Sequence, residues 1–173
     1  MSKGSVDQTL LQFAYDIGLY TFMNSKWAWP TVESLHFIGL CMLIGTVGTF
    51  DLRMLGLAKG VSLAGLHRLI PIGVIGYLLN IITGSLFFFA APGQYLYNPA
   101  FQIKILFMAG AGLNMLFYYA TTSRAVKQTS ANTNLIVRAK VIAIISLVCW
   151  IGVITCGRLL TFFRPPYLWC FWC

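Results

Sequence analysis

The chain has little charge and few of the residues that soluble enzymes use in catalysis. Only 9% of its 173 residues are charged, 4 of these are acidic, and there are 2 histidines. It contains no Ser/His/Asp arrangement, no phosphate-binding glycine loop, no dinucleotide-binding fingerprint and no carboxylate pair for hydrolysis. These absences argue against the common hydrolase and nucleotide-dependent classes.

Long apolar stretches dominate what is present. Hydrophobic residues make up 58% of the chain and the mean hydropathy is +0.78. Four stretches reach the length of about 20 residues that spans a bilayer core. We predict an all-α membrane protein, a single domain over 1–173 built as a bundle of four transmembrane helices. The predicted spans are 30–50, 69–91, 101–122 and 139–163.

Basic residues cluster at two of the three loops between these spans. A net charge of +8 is also typical of proteins that bind nucleic acid, but the distribution of the charge argues against that function. The 92–100 loop carries no charge. Because cytoplasmic loops are enriched in Lys and Arg, both termini and the 92–100 loop are predicted on the outer side. The charge is therefore a topology signal and indicates no nucleic-acid partner. The basic residues concerned are Arg53, Lys59, Arg68, Arg124, Lys127, Arg138 and Lys140.

The first residues predict an amphipathic helix over 5–24 rather than a signal peptide, because no basic segment leads into an apolar run. Its acidic face argues for docking on protein rather than on anionic lipid. The apolar face is predicted to carry Val6, Leu10, Phe13, Ala14 and Ile17, and the polar face Asp7, Gln8, Gln12 and Asp16.

His36 is the most informative residue, because it lies inside the first span. An ionisable side chain at membrane depth costs about 2.5–3.5 kcal/mol on insertion scales and is a functional-site hypothesis by default. Imidazole is also the commonest metal ligand. Glu33 precedes it by one helical turn and is expected on the same face.

Two cations are predicted at the depth of His36. At 1.5 Å per residue, His36 lies roughly 9 Å inside the outer end of its span. Lys104 lies near the outer start of the third span, and Arg158 near the outer end of the fourth. With Glu33, these residues predict one polar layer drawn from three helices. Each also has a simpler explanation: His36 as a packing element, Lys104 reaching the headgroups, and Arg158 paired with Glu33.

The second histidine, His67, is predicted at the cytoplasmic end, roughly 20 Å from His36, so the two cannot ligate one metal or porphyrin within a monomer. Asp51, Arg53 and Arg68 lie near it in the predicted topology. We interpret these four residues as an ion network that anchors a loop, rather than as a second functional site. Cys170 and Cys173, near the C-terminus, could form a disulfide or bind a soft metal.

Several stretches in order resemble the DUF6644 type of bacterial four-helix integral membrane protein and, more distantly, the CopD/HemJ-like superfamily. They are Trp29-Pro30, Glu33-Ser-Leu-His36-Phe-Ile-Gly39, Asp51-Leu-Arg53-Met-Leu-Gly56, Arg68-Leu-Ile-Pro71, Thr83-Gly84, and Asn98-Pro-Ala-Phe-Gln-Ile-Lys104 with Asn114. The superfamily pairs a histidine in the first span with a lysine opening the third, here His36 and Lys104. The resemblance implies a bacterial inner-membrane location, with haem b in one branch and copper handling in the other.

Three functions follow as alternatives. The first is a haem-binding redox protein, with His36 as axial ligand, Lys104 and Arg158 pairing with the propionates, and Gly39 leaving room for the macrocycle. The second is a non-catalytic subunit of a larger membrane complex or homo-oligomer, docked through the acidic helix and the aromatic C-terminal end. The third is copper binding or transport, against which the spans lack repeated Met or Cys ligands.

Overall fold

The computed structural model describes residues 4–57, 60–123 and 137–162, and in these ranges it is helical with no strand. Four of the helices are long and apolar enough to cross a membrane, which confirms the predicted fold class. The helices are α1 (Gly4–Asp16), α2 (Leu19–Met23), α3 (Ala28–Leu55), α4 (Leu63–His67), α5 (Ile70–Ala90), α6 (Pro92–Leu96), α7 (Pro99–Thr121) and α8 (Val137–Leu159).

The N-terminal segment differs from the single amphipathic helix predicted over 5–24. Gly18 takes a left-handed conformation, with φ of 72°, and divides the segment into α1 and α2. The packed face of α1 also differs, since Ala14 is fully buried while Phe13 and Ile17 are exposed. Asp7, predicted on the outward polar face, contacts α6 at Gly93. Helical periodicity identified an amphipathic segment, but it did not identify which face packs.

The outer end of α7 is held by an Asn-Pro pair. The Asn98 side chain accepts a hydrogen bond from the Ala100 amide at 3.0 Å, which caps the helix, and Pro99 occupies its first turn. The Asn98 amide also donates to the Leu160 carbonyl at 3.3 Å, just beyond α8. The start of α7 and the end of α8 are therefore joined close to where Lys104 lies.

The four long helices pack in the spatial order α5, α3, α8, α7. Helix α3 packs most extensively on α5, α7 packs on α8, and α3 joins the two pairs through α8. A buried cluster lies at this junction, where α3 and α7 end and α8 begins, namely Met54, Tyr118, Ala139, Ile142 and Ala143. Helix α3 is thus central and is the helix that carries both His36 and Asp51.

Helices α3 and α5 approach each other closely at Gly39 of α3 and Gly76 of α5. A methyl group added at Gly76 would lie 2.6 Å from the Gly39 carbonyl oxygen and 2.8 Å from the Leu43 amide. Small residues permit such an approach between membrane helices, where packing rather than hydrophobic transfer drives association. The position of α5 against α3 therefore depends on these two glycines.

We expect Gly76→Ala to lower the free energy of unfolding in detergent by about 1–3 kcal/mol, because its methyl group overpacks against backbone atoms. Gly45→Ala is the matched control, since it lies in α3 with no neighbouring atom within 4 Å of the added methyl group. Its stability should equal or exceed the parent's by up to about 1 kcal/mol, because alanine favours helix. Denaturant unfolding followed by circular dichroism measures both, and equal losses in the two variants would contradict the crossing.

Candidate functional site

His36 makes a direct hydrogen bond to the neighbouring span. Its Nδ1 lies 2.7 Å from Oγ1 of Thr83 on α5, and Thr83 is almost fully buried. In a helix, side chains lean towards the N-terminus, which is the predicted outer end of α3. The imidazole therefore leans away from the Gly39–Gly76 crossing, to a threonine two turns beyond Gly76 on α5.

The second contact of Thr83 determines the direction of this hydrogen bond. Its hydroxyl donates to the Leu79 carbonyl, one turn earlier on α5, at 2.7 Å. Since a hydroxyl has only one proton, we infer that its oxygen accepts from Nδ1–H of His36. In the neutral imidazole the lone pair then lies on Nε2, which is the form that binds a metal. Nε2 makes no hydrogen bond within the described part of the chain.

Aromatic rings cover the outer side of His36. Phe87 of α5 contacts the imidazole edge-on, at 5.8 Å between ring centres, and Trp29 lies 5.0 Å from Phe87. Met23 of α2 joins the apolar cluster behind them. The N-terminal segment thus packs over the outer end of the site.

Gly84, not Gly39, is the glycine beside the imidazole. A methyl group at Gly84 would lie 3.8 Å from Cε1 of His36. The expectation that Gly39 leaves room for a macrocycle is wrong, because a methyl group there would lie 2.6 Å from Nδ2 of Asn80. The space at Gly39 is filled by α5.

Lys104 is the one predicted partner that the structure brings to His36. The two side chains are close enough to interact electrostatically, and Cys156 of α8 is a second neighbour of Lys104. A methyl group at Gly157 would lie 3.7 Å from Nζ of Lys104. The end of α8 therefore flanks the ammonium group. Four helices, α3, α5, α7 and α8, thus lie around His36 and Lys104.

Glu33 and Arg158 do not join this group. Both side chains are exposed, and within the described ranges they form no ion pair with each other. Arg158 instead lies over the ring of Phe162, 5.7 Å from its centre. Depth predicted Arg158 in this layer, and helical spacing predicted Glu33 on the same face as His36. A residue's direction around its packed helix decides what it faces, and both side chains face outward.

His67 lies elsewhere, as expected. Its ring packs edge-on against Phe50, at 5.3 Å, roughly 21 Å further along α3 than His36 at 1.5 Å per residue. Arg53 is almost fully buried and donates from Nε to the Val61 carbonyl at 2.9 Å, which anchors the connection between α3 and α4. Arg68 is exposed.

Sequence reasoning missed two features. The sequence analysis did not identify Thr83 as a partner of His36, although Thr83 lies on the same face of a charge-free span as Gly76 and Asn80. Asp51 was assigned to the loop network, but it is buried beside Ser146 of α8. Cys170 and Cys173 lie outside the described residues.

No family model, no curated protein and no solved structure matches the chain. The resemblance to the DUF6644 type and to the CopD/HemJ-like superfamily therefore stays a prediction from motifs. The described residues contain no group of three or more His, Cys, Asp and Glu side chains placed to hold a metal ion.

We expect Thr83→Val to lower the free energy of unfolding by about 1–3 kcal/mol, because it leaves Nδ1–H of His36 buried without an acceptor. Thr83→Ser keeps the hydroxyl and is the matched control, with a smaller loss. Denaturant unfolding in detergent measures both. A valine variant as stable as the serine variant would show that the hydrogen bond contributes nothing.

Proposed function

We propose that the protein is an integral membrane haem-binding redox protein with His36 as its single protein-derived axial ligand. The observation that carries the proposal is the contact with Thr83, which leaves the lone pair of a neutral imidazole on Nε2. Metal-bound histidines commonly donate their other ring N–H to an oxygen in this way, which fixes ring orientation and tautomer. His36 would thus hold the iron of a b-type haem through Nε2, with Thr83 orienting the ring.

Lys104 would supply the matching charge. A haem carries two propionates, and an anion in a low-dielectric environment needs a cationic partner. The half-buried ammonium group beside His36 suits one propionate. Arg158, exposed near the end of α8, would reach a second one only by reorienting from Phe162. Haem b, when bound, supplies one-electron redox chemistry, and the polarity around His36 tunes it.

Glu33 supports the second candidate, an accessory subunit of a larger membrane complex. Its carboxylate lies on the exposed side of α3 and has no partner within the described ranges. Ionisable groups in spans usually face protein or a water-filled cavity rather than lipid. A neighbouring subunit or a second copy of the chain would give Glu33 a protein environment. Copper binding remains the third candidate, with no additional support among the described residues.

We expect purified protein that is supplied with haem and then freed of unbound haem to retain a Soret band that His36→Ala abolishes, because the variant removes the ligand. His67→Ala is the matched control and should keep the band, since His67 lies at the other end of the bundle. Thr83→Val should weaken haem affinity about 10–100-fold, as outer-shell changes do.

Absence of the band from the parent protein, or its persistence in His36→Ala, would contradict the haem proposal. The native size of the same samples distinguishes the second candidate, an accessory subunit of a larger complex, from a solitary haem protein. A haem-free protein that purifies within a larger assembly, released by Glu33→Gln, would favour the accessory subunit. One equivalent of copper in the haem-free protein would favour the third.

We also propose that the protein lies in a bacterial inner membrane with both termini on the periplasmic side. The uncharged connection through α6 and the basic connection through α4 support this orientation. A reporter enzyme active only in the periplasm should be active when fused after Gln94 and inactive when fused after Gly60. The reverse pattern would contradict the orientation.

A further inference from the structure

A second buried polar group lies in the cytoplasmic half of the bundle, away from His36. Asp51 of α3 is 3% exposed and Tyr118 of α7 is 6% exposed. Oδ2 of Asp51 and the Tyr118 hydroxyl are both buried, and neither has a hydrogen-bond partner. Buried polar atoms are normally satisfied, so two such atoms in neighbouring side chains call for an explanation.

Three helices bring these groups together. The Asp51 carboxyl lies near enough to Tyr118 to act on it electrostatically, and the Ser146 hydroxyl of α8 lies beside the same carboxyl. Asn114, one turn before Tyr118, donates to the Ile142 carbonyl at 3.0 Å and fixes α7 against α8. The group is therefore built into the helix packing and does not belong to a loop.

No cation in the described residues neutralises Asp51. Within the described ranges the structure records no ion pair or hydrogen bond between this carboxyl and an ionisable side chain of the surrounding helices. On α3, Arg53 donates to the Val61 carbonyl. On α4, His67 packs against Phe50, which also contacts Tyr118. The others are Tyr119 on α7, stacked edge-on against Tyr118 at 5.2 Å, and Arg138 and Lys140 at the start of α8.

An ionised carboxylate buried without a partner is unfavourable in a low-dielectric interior, and such a group takes up a neutralising ion instead. The orphaned oxygen of Asp51 and the Tyr118 hydroxyl are sealed from solvent, which leaves no room for a hydrated metal ion beside them. A proton needs no such room. The neutral carboxyl can both donate and accept, as can the hydroxyls of Tyr118 and Ser146. One bound proton would thus remove the buried charge and add a donor to the group.

We propose that Asp51, with Tyr118 and Ser146, forms a proton-binding site in the cytoplasmic half of the bundle. Acidic side chains within membrane spans commonly mark proton pathways. The site lies on the same helix as His36, roughly 22 Å away along α3 at 1.5 Å per residue. It depends only on the packing of α3, α7 and α8, and is independent of whether His36 binds haem.

Infrared spectroscopy of the protein in lipid at neutral pH tests the site, because a protonated carboxyl has its own carbonyl-stretch band. The chain has only 4 acidic side chains, so a single band can be assigned. We expect Asp51→Asn to remove the band completely. Asp16→Asn, which changes an exposed carboxyl on α1, is the matched control and should retain it. Tyr118→Phe and Ser146→Ala should each shift its frequency without removing it.

The parent protein showing no such band, or Asp51→Asn retaining it, would overturn the proposal. If Asp51→Asn fails to fold, the other two variants decide, and an unshifted band in both overturns the three-residue site. A band that disappears when sodium replaces choline in the buffer would overturn proton binding in favour of a sodium ion. A band insensitive to sodium supports the proton.

Discussion

The close crossing of α3 and α5 is the constraint on which the rest of the structure depends. Gly39 and Gly76 allow backbone atoms of the two helices to come within contact distance. That separation is what lets His36 reach a buried hydroxyl on α5 at 2.7 Å. A larger side chain at either glycine would move the helices apart and leave an imidazole at membrane depth without its partner, at a cost of about 1–3 kcal/mol.

The polar groups of the bundle form two separate sites on one central helix. Towards the predicted outer side, His36 and Lys104 lie between α3, α5 and α7, with the end of α8 beside them. In the opposite half, which is predicted to be cytoplasmic, Asp51 is buried against α7 and α8 instead. Because α3 packs on α5 along one face and on α8 along another, a single helix supports a site in each half of the bundle.

Hydropathy and length predicted the four long helices well, because spanning a bilayer requires long apolar runs whatever their sequence. Depth along the helix also predicted that Lys104 lies close to His36. It failed for Glu33, which is three residues from His36 and so roughly 60° away around a helix of 3.6 residues per turn. That rotation turns the carboxylate from the packed side to the exposed side. Which side of a helix is packed depends on which helices are its neighbours. The packing order α5, α3, α8, α7 cannot be predicted from the sequence of any single span.

The central claim is that the imidazole of His36 carries its proton on Nδ1 and none on Nε2. The proposed role of His36 as a ligand requires the free lone pair on Nε2. Nitrogen NMR of cofactor-free protein labelled at histidine reports it directly, and with 2 histidines in the chain a His36→Gln sample assigns the signals. The account predicts a protonated Nδ1 and an unprotonated Nε2 for His36. A proton on Nε2, or a fully protonated imidazolium, in the parent protein at neutral pH would contradict it.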